Sequence, residues 1–399
     1  DWDELLSNLE TEMSLVDAEQ DRLALRFRIA QLHEQCLGNE ERAVDTYDEI
    51  LKVETGHALS ITALSRMVRE DREALKATAV LESHLSEAGA WSELIAVWRD
   101  QLQVTHEPES QTGIRMRIAL VYEDALDDDQ GAFEAYRDVF RADPSHSPAL
   151  VSLEEAASRL EDWARFTEVL EEQLSLVPND ELARDLRLRL GAVHEHHLGG
   201  AEEAIAHYRG VLEIEPTHDE ALRALERLHE KRGEWAELAE ILLARAELVD
   251  ATEQVALLNR LGGLFETVLD DVSEAVRYYE VALETEVDDD TIVALERLIA
   301  QDHEPLVLGR LLEPIYTERE QYDALASLYE VLIPQENDGV EKQRMRHLLG
   351  VLYAEHLNND EAAFRWSGEA LKGTPENEEL RQSYLELAGR LNRYGEWAG

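Results

Sequence analysis

The residues best able to do chemistry sit in a few short clusters. His194, His196 and His197 fall within Val193-His194-Glu195-His196-His197-Leu198, and imidazoles are common ligands for zinc and related metals. Helical zinc sites set two histidines one turn apart, as His-x-x-x-His. The spacing here differs and no matching second ligand set stands out, so packing and solvent exposure are expected for all three. Cys36 follows His33, and positions 33 and 36 share one face of a helix. A nucleophilic pair also needs a third group to orient the base and donors for an oxyanion. Neither accompanies this pair, so a small buried or half-buried thiol is expected. The runs Asp127-Asp128-Asp129 and Asp288-Asp289-Asp290 could attract calcium, but they lack the alternating Asp-x-Asp-x-Asp-Gly loop and its distal glutamate. They fall where helices begin, a place where acids are favoured by the helix dipole. With no phosphate-cradling glycine loop either, the expectation is a non-catalytic chain that uses no metal and no cofactor.

The elements that carry these residues are helical. Leu, Ala, Glu and Arg dominate the 399 residues, runs rich in Val, Ile and Thr are nearly absent, and only nine prolines occur. Acidic residues number 87 against 38 basic ones, for a formal charge of −49, and only five of the basic residues are lysine. Such a surface repels nucleic acid and anionic membranes. It suits a basic protein partner, high solubility, or an acidic and lysine-poor source proteome. Cys36 is the single cysteine, which excludes an intrachain disulfide. No apolar run approaches the roughly 18 residues of a membrane span, and no signal peptide is visible in the sequence. A soluble chain with no membrane insertion is expected, the cytoplasm being favoured.

Self-similarity organises the helices. Trp2, Trp91, Trp163, Trp235 and Tyr322 each open an Ala/Leu-rich segment, and a sixth begins at Glu396-Trp397 and is cut off. The interval from Trp91 to Trp163 equals that from Trp163 to Trp235, and it sets the length of the basic module. The intervals from Trp2 to Trp91 and from Trp235 to Tyr322 are longer by about one helix. The modules run 1–89, 90–161, 162–233, 234–320 and 321–395, with the start of a further one at 396–399. Modules one and four carry an insertion at about 72–88 and 304–318. The two insertions match, Glu73-Ala74-Leu75 to Leu81-Glu82 aligning with Glu304-Pro305-Leu306 to Leu312-Glu313. Each basic module reads as four helices. In module three these lie near 162–176, 181–197, 201–214 and 218–231, with Asn179-Asp180 as a cap and with Gly199-Gly200, Pro216 and Gly233 as stops. The whole is read as one continuous array over 1–399, a stretch of a longer repeat. A helix pair cannot cover its own apolar face, so a buried aromatic is expected at each seam: Trp2, Trp91, Trp163, Trp235 and Tyr322.

The second and third helices of each module resemble a tetratricopeptide repeat. In module three the match is Leu190-Gly191, His194, Ala204, Tyr208, Val211-Leu212 and Pro216. Module one has Ala30, His33, Ala43 and Tyr47, and module two has Ala119, Tyr122, Ala132 and Tyr136. Module four has Gly262, Phe265, Ala275 and Tyr279, and module five has Gly350, Tyr353, Ala362 and Trp366, with a slip of one. The loop between the two helices is one residue longer than the family pattern. The fourth helix and the next Trp-bearing helix form a weaker copy: Ala221-Leu222, Leu225, Leu228, Gly233, Trp235 and Leu238. The resemblance implies an all-α, right-handed solenoid of stacked antiparallel helix pairs, about 22 helices in all, serving as a protein-interaction scaffold.

In that family the first helix of each pair lines a concave groove. Carried over to this chain, the residue four after the small position is Glu34, Glu123, Glu195 or Glu266. A ladder of glutamates binding a basic segment of a partner is expected on that basis, with an affinity that falls as salt rises. The alternative is a structural protein whose copies assemble end to end into a fibre or surface array.

Overall fold

The computed structural model describes residues 1–178 and 181–393. The cap expected at Asn179-Asp180, the aromatic Trp397 and the further module at 396–399 lie outside the described residues. Within them all regular structure is helical, in 22 α-helices, three of which run on into a π-helical turn. Chain contacts divide the molecule into two compact units, Asp1–Gly210 and Val211–Gly399.

The first unit contains α1 (Trp2–Leu15), α2 (Glu19–Gln35), α3 (Glu40–Val53), α4 (Ala58–Arg69), α5 (Ala74–Glu87), α6 (Trp91–Val104), α7 (Pro108–Leu120), α8 (Asp129–Ala142), α9 (Ser147–Leu160), α10 (Trp163–Leu174) and α11 (Glu181–Val193). The division falls within α12 (Ala201–Leu212). The second unit contains α13 (Asp219–Arg232), α14 (Trp235–Ala246), α15 (Ala251–Thr267), α16 (Val272–Thr285), α17 (Asp289–Ala300), α18 (Pro305–Glu318), α19 (Tyr322–Gln335), α20 (Gly339–Val351), α21 (Asp360–Gly373) and α22 (Glu378–Arg390). Within each unit successive helices pack on one another.

Close approach of paired helices follows from the small residues. Ala30, Ala43, Ala119, Ala132, Ala204 and Ala275 are wholly buried. A methyl group on Gly191 would stand 2.7 Å from the Tyr208 ring, and one on Gly262 2.5 Å from the Tyr279 ring. In module five Gly350 faces Ser367, 2.6 Å from where its Cβ would stand, and Ala363 is the buried alanine. The slip of one there thus moves the packing positions from Ala362 and Trp366 to Ala363 and Ser367.

The extra residue in each inter-helix loop has a structural explanation. It is taken up at the end of the first helix by an i→i−5 hydrogen bond, the π-type turn. Leu37 N–H donates to Leu32 O at 3.0 Å, Leu126 to Val121 at 3.0 Å, Leu269 to Leu264 at 3.1 Å and Leu357 to Leu352 at 3.0 Å. The next residue turns left-handed: Gly38, Asp127, Asp270 and Asn358 all have φ between 50° and 62°. Gly199, at φ 69°, does the same after the π turn His194–Leu198. Asn39, Asp128, Asp271 and Asn359 then cap the second helix, each side chain accepting a backbone N–H from the helix's first turn.

The two insertions are the helices α5 and α18. Each follows a left-handed glutamate, Glu73 (φ 47°) or Glu304 (φ 39°), so the match between the insertions extends to the backbone. In the first unit α4 packs on both α5 and α6, which makes the insertion part of a three-helix unit.

Candidate functional site

The groove glutamates stand first among the candidate residues, and the structure places them in a repeated node. Each lies near the end of the first helix of its pair and takes a hydrogen bond from a tyrosine on the second. Tyr47 Oη donates to Glu34 at 2.9 Å, Tyr136 to Glu123 at 2.5 Å, Tyr208 to Glu195 at 3.1 Å and Tyr279 to Glu266 at 3.1 Å. At Glu34, Glu123 and Glu266 an arginine beyond the tyrosine's helix joins in. Arg66 donates to Glu34 at 2.5 Å, with Arg72 joining at 2.8 Å. Arg159 donates to Glu123 at 2.7 Å, and Arg297 reaches both oxygens of Glu266 at 3.0 and 2.6 Å. His196 lies 3.9 Å from Glu195.

These carboxylates are largely withdrawn from solvent. The side chain of Glu34 is 0% exposed, that of Glu266 8% and that of Glu195 9%, with Glu123 the most open at 22%. Burial first, and then the neighbouring glutamate, push the hydroxyls of Tyr47, Tyr136 and Tyr279 well above their usual range. They therefore act as permanent donors. The same chemistry recurs in the second unit, where Tyr329 donates to Glu313 at 2.7 Å and Arg344 pairs with Glu313 at 3.0 Å. An arginine joined to such a pair, as at Glu34, Glu123, Glu266 and Glu313, ties three helices together through one carboxylate. Arginine suits the role because its planar fork meets a carboxylate through two parallel hydrogen bonds. The signal for this was present in the sequence as a constant glutamate-to-tyrosine spacing, 34 to 47, 123 to 136, 195 to 208 and 266 to 279.

The seam aromatics differ from expectation. Trp2 is 54% exposed, while Trp91, Trp163, Trp235 and Tyr322 are half-buried. Two of these rings lie flat on a histidine instead of sinking into the core. Trp163 lies flat on His197, 3.8 Å between ring centres, and meets buried Phe166 edge-on at 6.2 Å. Tyr322 lies flat on His356 at 3.7 Å. The two pairs, 163 with 197 and 322 with 356, share one sequence spacing. Replacing Trp163 with alanine is therefore expected to cost about 2 kcal/mol, below the roughly 3–5 of a fully buried tryptophan. Urea unfolding followed by circular dichroism would measure it, and an unchanged midpoint would remove the stacking account.

The remaining candidates resolve into local roles. Cys36 is exposed, not buried as expected, because the chain leaves its helix there. His33 is buried, and burial, then Arg42, lowers its pKa against the opposing effect of Glu10. Asp128 caps α8 through Gly131 N–H at 3.0 Å, and Asp129 pairs with Arg159 at 2.5 Å. Asp288 caps α17 through Thr291 N–H at 3.2 Å, and Asp289 pairs with Arg319 at 2.5 Å. Among the described residues no helix is long and apolar enough to cross a membrane.

A second kind of node joins α13, α14 and α15. Arg245 pairs with Glu226 and, at 2.9 Å, with Glu253, while Arg260 pairs with the same Glu226. A family model described as tetratricopeptide repeat matches residues 221–256, the stretch that holds most of this node. The match makes residues 221–256 a tetratricopeptide-like repeat. The match falls on α13 and α14, whose residues carried the weaker copy of the pattern, and the small-residue, tyrosine and αL-turn geometry recurs in the pairs α2–α3, α7–α8, α11–α12 and α15–α16. No curated protein matches the sequence.

Solved structures similar to this chain include the MamA protein, 21% identical with a TM-score of 0.31, covering 44% of this chain and 91% of that one. A tetratricopeptide repeat protein from Parabacteroides merdae is 14% identical with a TM-score of 0.30, covering 69% of this chain and 98% of that one. PilW, a type IV pilus biogenesis factor, is 16% identical with a TM-score of 0.26, covering 68% and 97%.

Proposed function

We propose that this chain is a non-catalytic protein-interaction scaffold whose partner carries a basic segment. The observation that carries the reading is how the recurring polar groups are spent. Glutamate, tyrosine and arginine at the nodes hold helix to helix, so what each module offers outward is its helix faces, on a chain of formal charge −49. Such a surface attracts a basic partner over a range set by ionic strength. Glu34, Glu123, Glu195 and Glu266 position the groove in this reading, and the acids outside the nodes supply the field. The five modules are proposed to act as one array, because the regular spacing of Trp91, Trp163 and Trp235 continues past Gly210.

The test is capture of partners from native lysate by the purified chain at low and at high salt, followed by titration of the captured protein. A partner with a basic segment, bound at least tenfold more weakly at about 500 mM salt than at about 50 mM, is the expected result. A partner whose affinity ignores salt would remove the electrostatic part. Recovery of this chain alone would favour assembly of its own copies end to end.

A further inference from the structure

The packing of module three brings together three side chains from three successive helices. Glu171 from α10, His194 at the end of the α11 helix and His207 from α12 each offer one ligand atom, and these atoms lie within 4.8 Å of one another. We propose that Glu171, His194 and His207 bind one divalent transition-metal ion of the zinc class, pinning three successive helices.

The donor set fits that class. Two imidazoles and a carboxylate, with a fourth position left for water, make a common zinc environment, and imidazole also suits neighbouring metals such as cobalt and nickel. The two imidazoles already face the same way, their rings nearly parallel at 18° with centres 5.5 Å apart. His194 Nε2 is buried with no hydrogen-bond partner, a costly state for a ring nitrogen that a metal would relieve. Ligand atoms on a tetrahedral zinc stand about 3.3 Å apart, given bonds of about 2.0–2.1 Å. Closing from 4.8 Å calls for side-chain rotation only, and Glu171 is exposed while His207 is half-buried.

Burial first, then His194 and Arg187, push the His207 pKa down to about 4 against the opposing effect of Glu203. Arg187 opposes a cation, while Glu171 and Glu203 bring two negative charges to the same place. A metal here would clip α10, α11 and α12 in the way a cross-link does.

The experiment titrates the full chain with Zn²⁺ alone by calorimetry in excess Mg²⁺, which occupies the exposed acids, and repeats the titration with Co²⁺ while recording visible absorption. One saturable ion per chain and a tetrahedral cobalt band are expected. Both should weaken at least tenfold in His207→Ala and in Glu171→Gln, and remain in His196→Ala. Glu171 is exposed, so its variant keeps the fold if His207→Ala does not; circular dichroism verifies this. Absence of saturable binding in the parent chain, or parent-like binding in Glu171→Gln, would overturn the proposal. So would loss of binding in His196→Ala.

Discussion

Replacing Glu34 with alanine is expected to lower the stability of the first unit by about 3–5 kcal/mol, the loss seen when one partner of a buried charged network is removed. The carboxylate is wholly inaccessible and accepts from Tyr47, Arg66 and Arg72. Its removal strands the hydroxyl of Tyr47, itself wholly buried, and takes the main partner from two guanidinium groups. Arg72 keeps Glu70 at 2.7 Å, which sets the cost toward the lower end. Glu34→Gln retains an acceptor for the tyrosine and should cost about half as much, while Tyr47→Phe should cost about 1 kcal/mol. In a repeat protein each module leans on its neighbours, so the damage is expected to concentrate locally. Hydrogen exchange should show lost protection over α2, α3 and α4 with little change in α9. Uniform protection in Glu34→Ala would contradict the role given to this carboxylate.

The second large effect is expected at Arg245. Its side chain is 8% exposed and joins Glu226, which is 13% exposed, to Glu253. Arg245→Ala should cost the second unit about 3 kcal/mol, because it leaves a cavity and takes one of its arginine partners from Glu226, which keeps Arg260. Arg245→Met fills the volume without the charge and should recover about half of that. A buried pair is screened poorly by salt, so the alanine deficit should persist at high ionic strength. A deficit that vanishes at about 1 M salt would mean that Arg245 acts as a surface charge.

The repeat was legible because burial leaves a periodic trace. Alanine or glycine at 30, 119, 191 and 262 must be small wherever two helices cross, and the packing aromatic follows at a fixed distance. The two insertions were legible for the same reason, since Ala74–Glu87 and Pro305–Glu318 each carry a full apolar face. Module five was off by one because Ala362 and Ala363 are chemically alike and only packing separates them. The nodes were missed for a different reason. Glutamate is a good helix former on any solvated face, so a single glutamate carries no information. What marks the node is the pair Glu34 and Tyr47, repeated at 123 and 136, 195 and 208, and 266 and 279, with Arg66, Arg159 and Arg297 farther along the chain. Glu171 and His207 escaped notice because their approach to His194 depends on the packing of α10, α11 and α12, which no local spacing reports. The half-burial of Trp163 likewise depends on where His197 lies across the seam.

The most direct test of the node account is a double-mutant cycle on Glu266 and Arg297, which meet through two hydrogen bonds at 3.0 and 2.6 Å. Glu266→Gln, Arg297→Met and the double variant would be unfolded in urea, which leaves ion pairs unscreened, beside the parent chain. The account predicts a coupling energy of about 1–3 kcal/mol, whereas two losses that add to within about 0.3 kcal/mol would show that the glutamate and arginine do not hold these helices together.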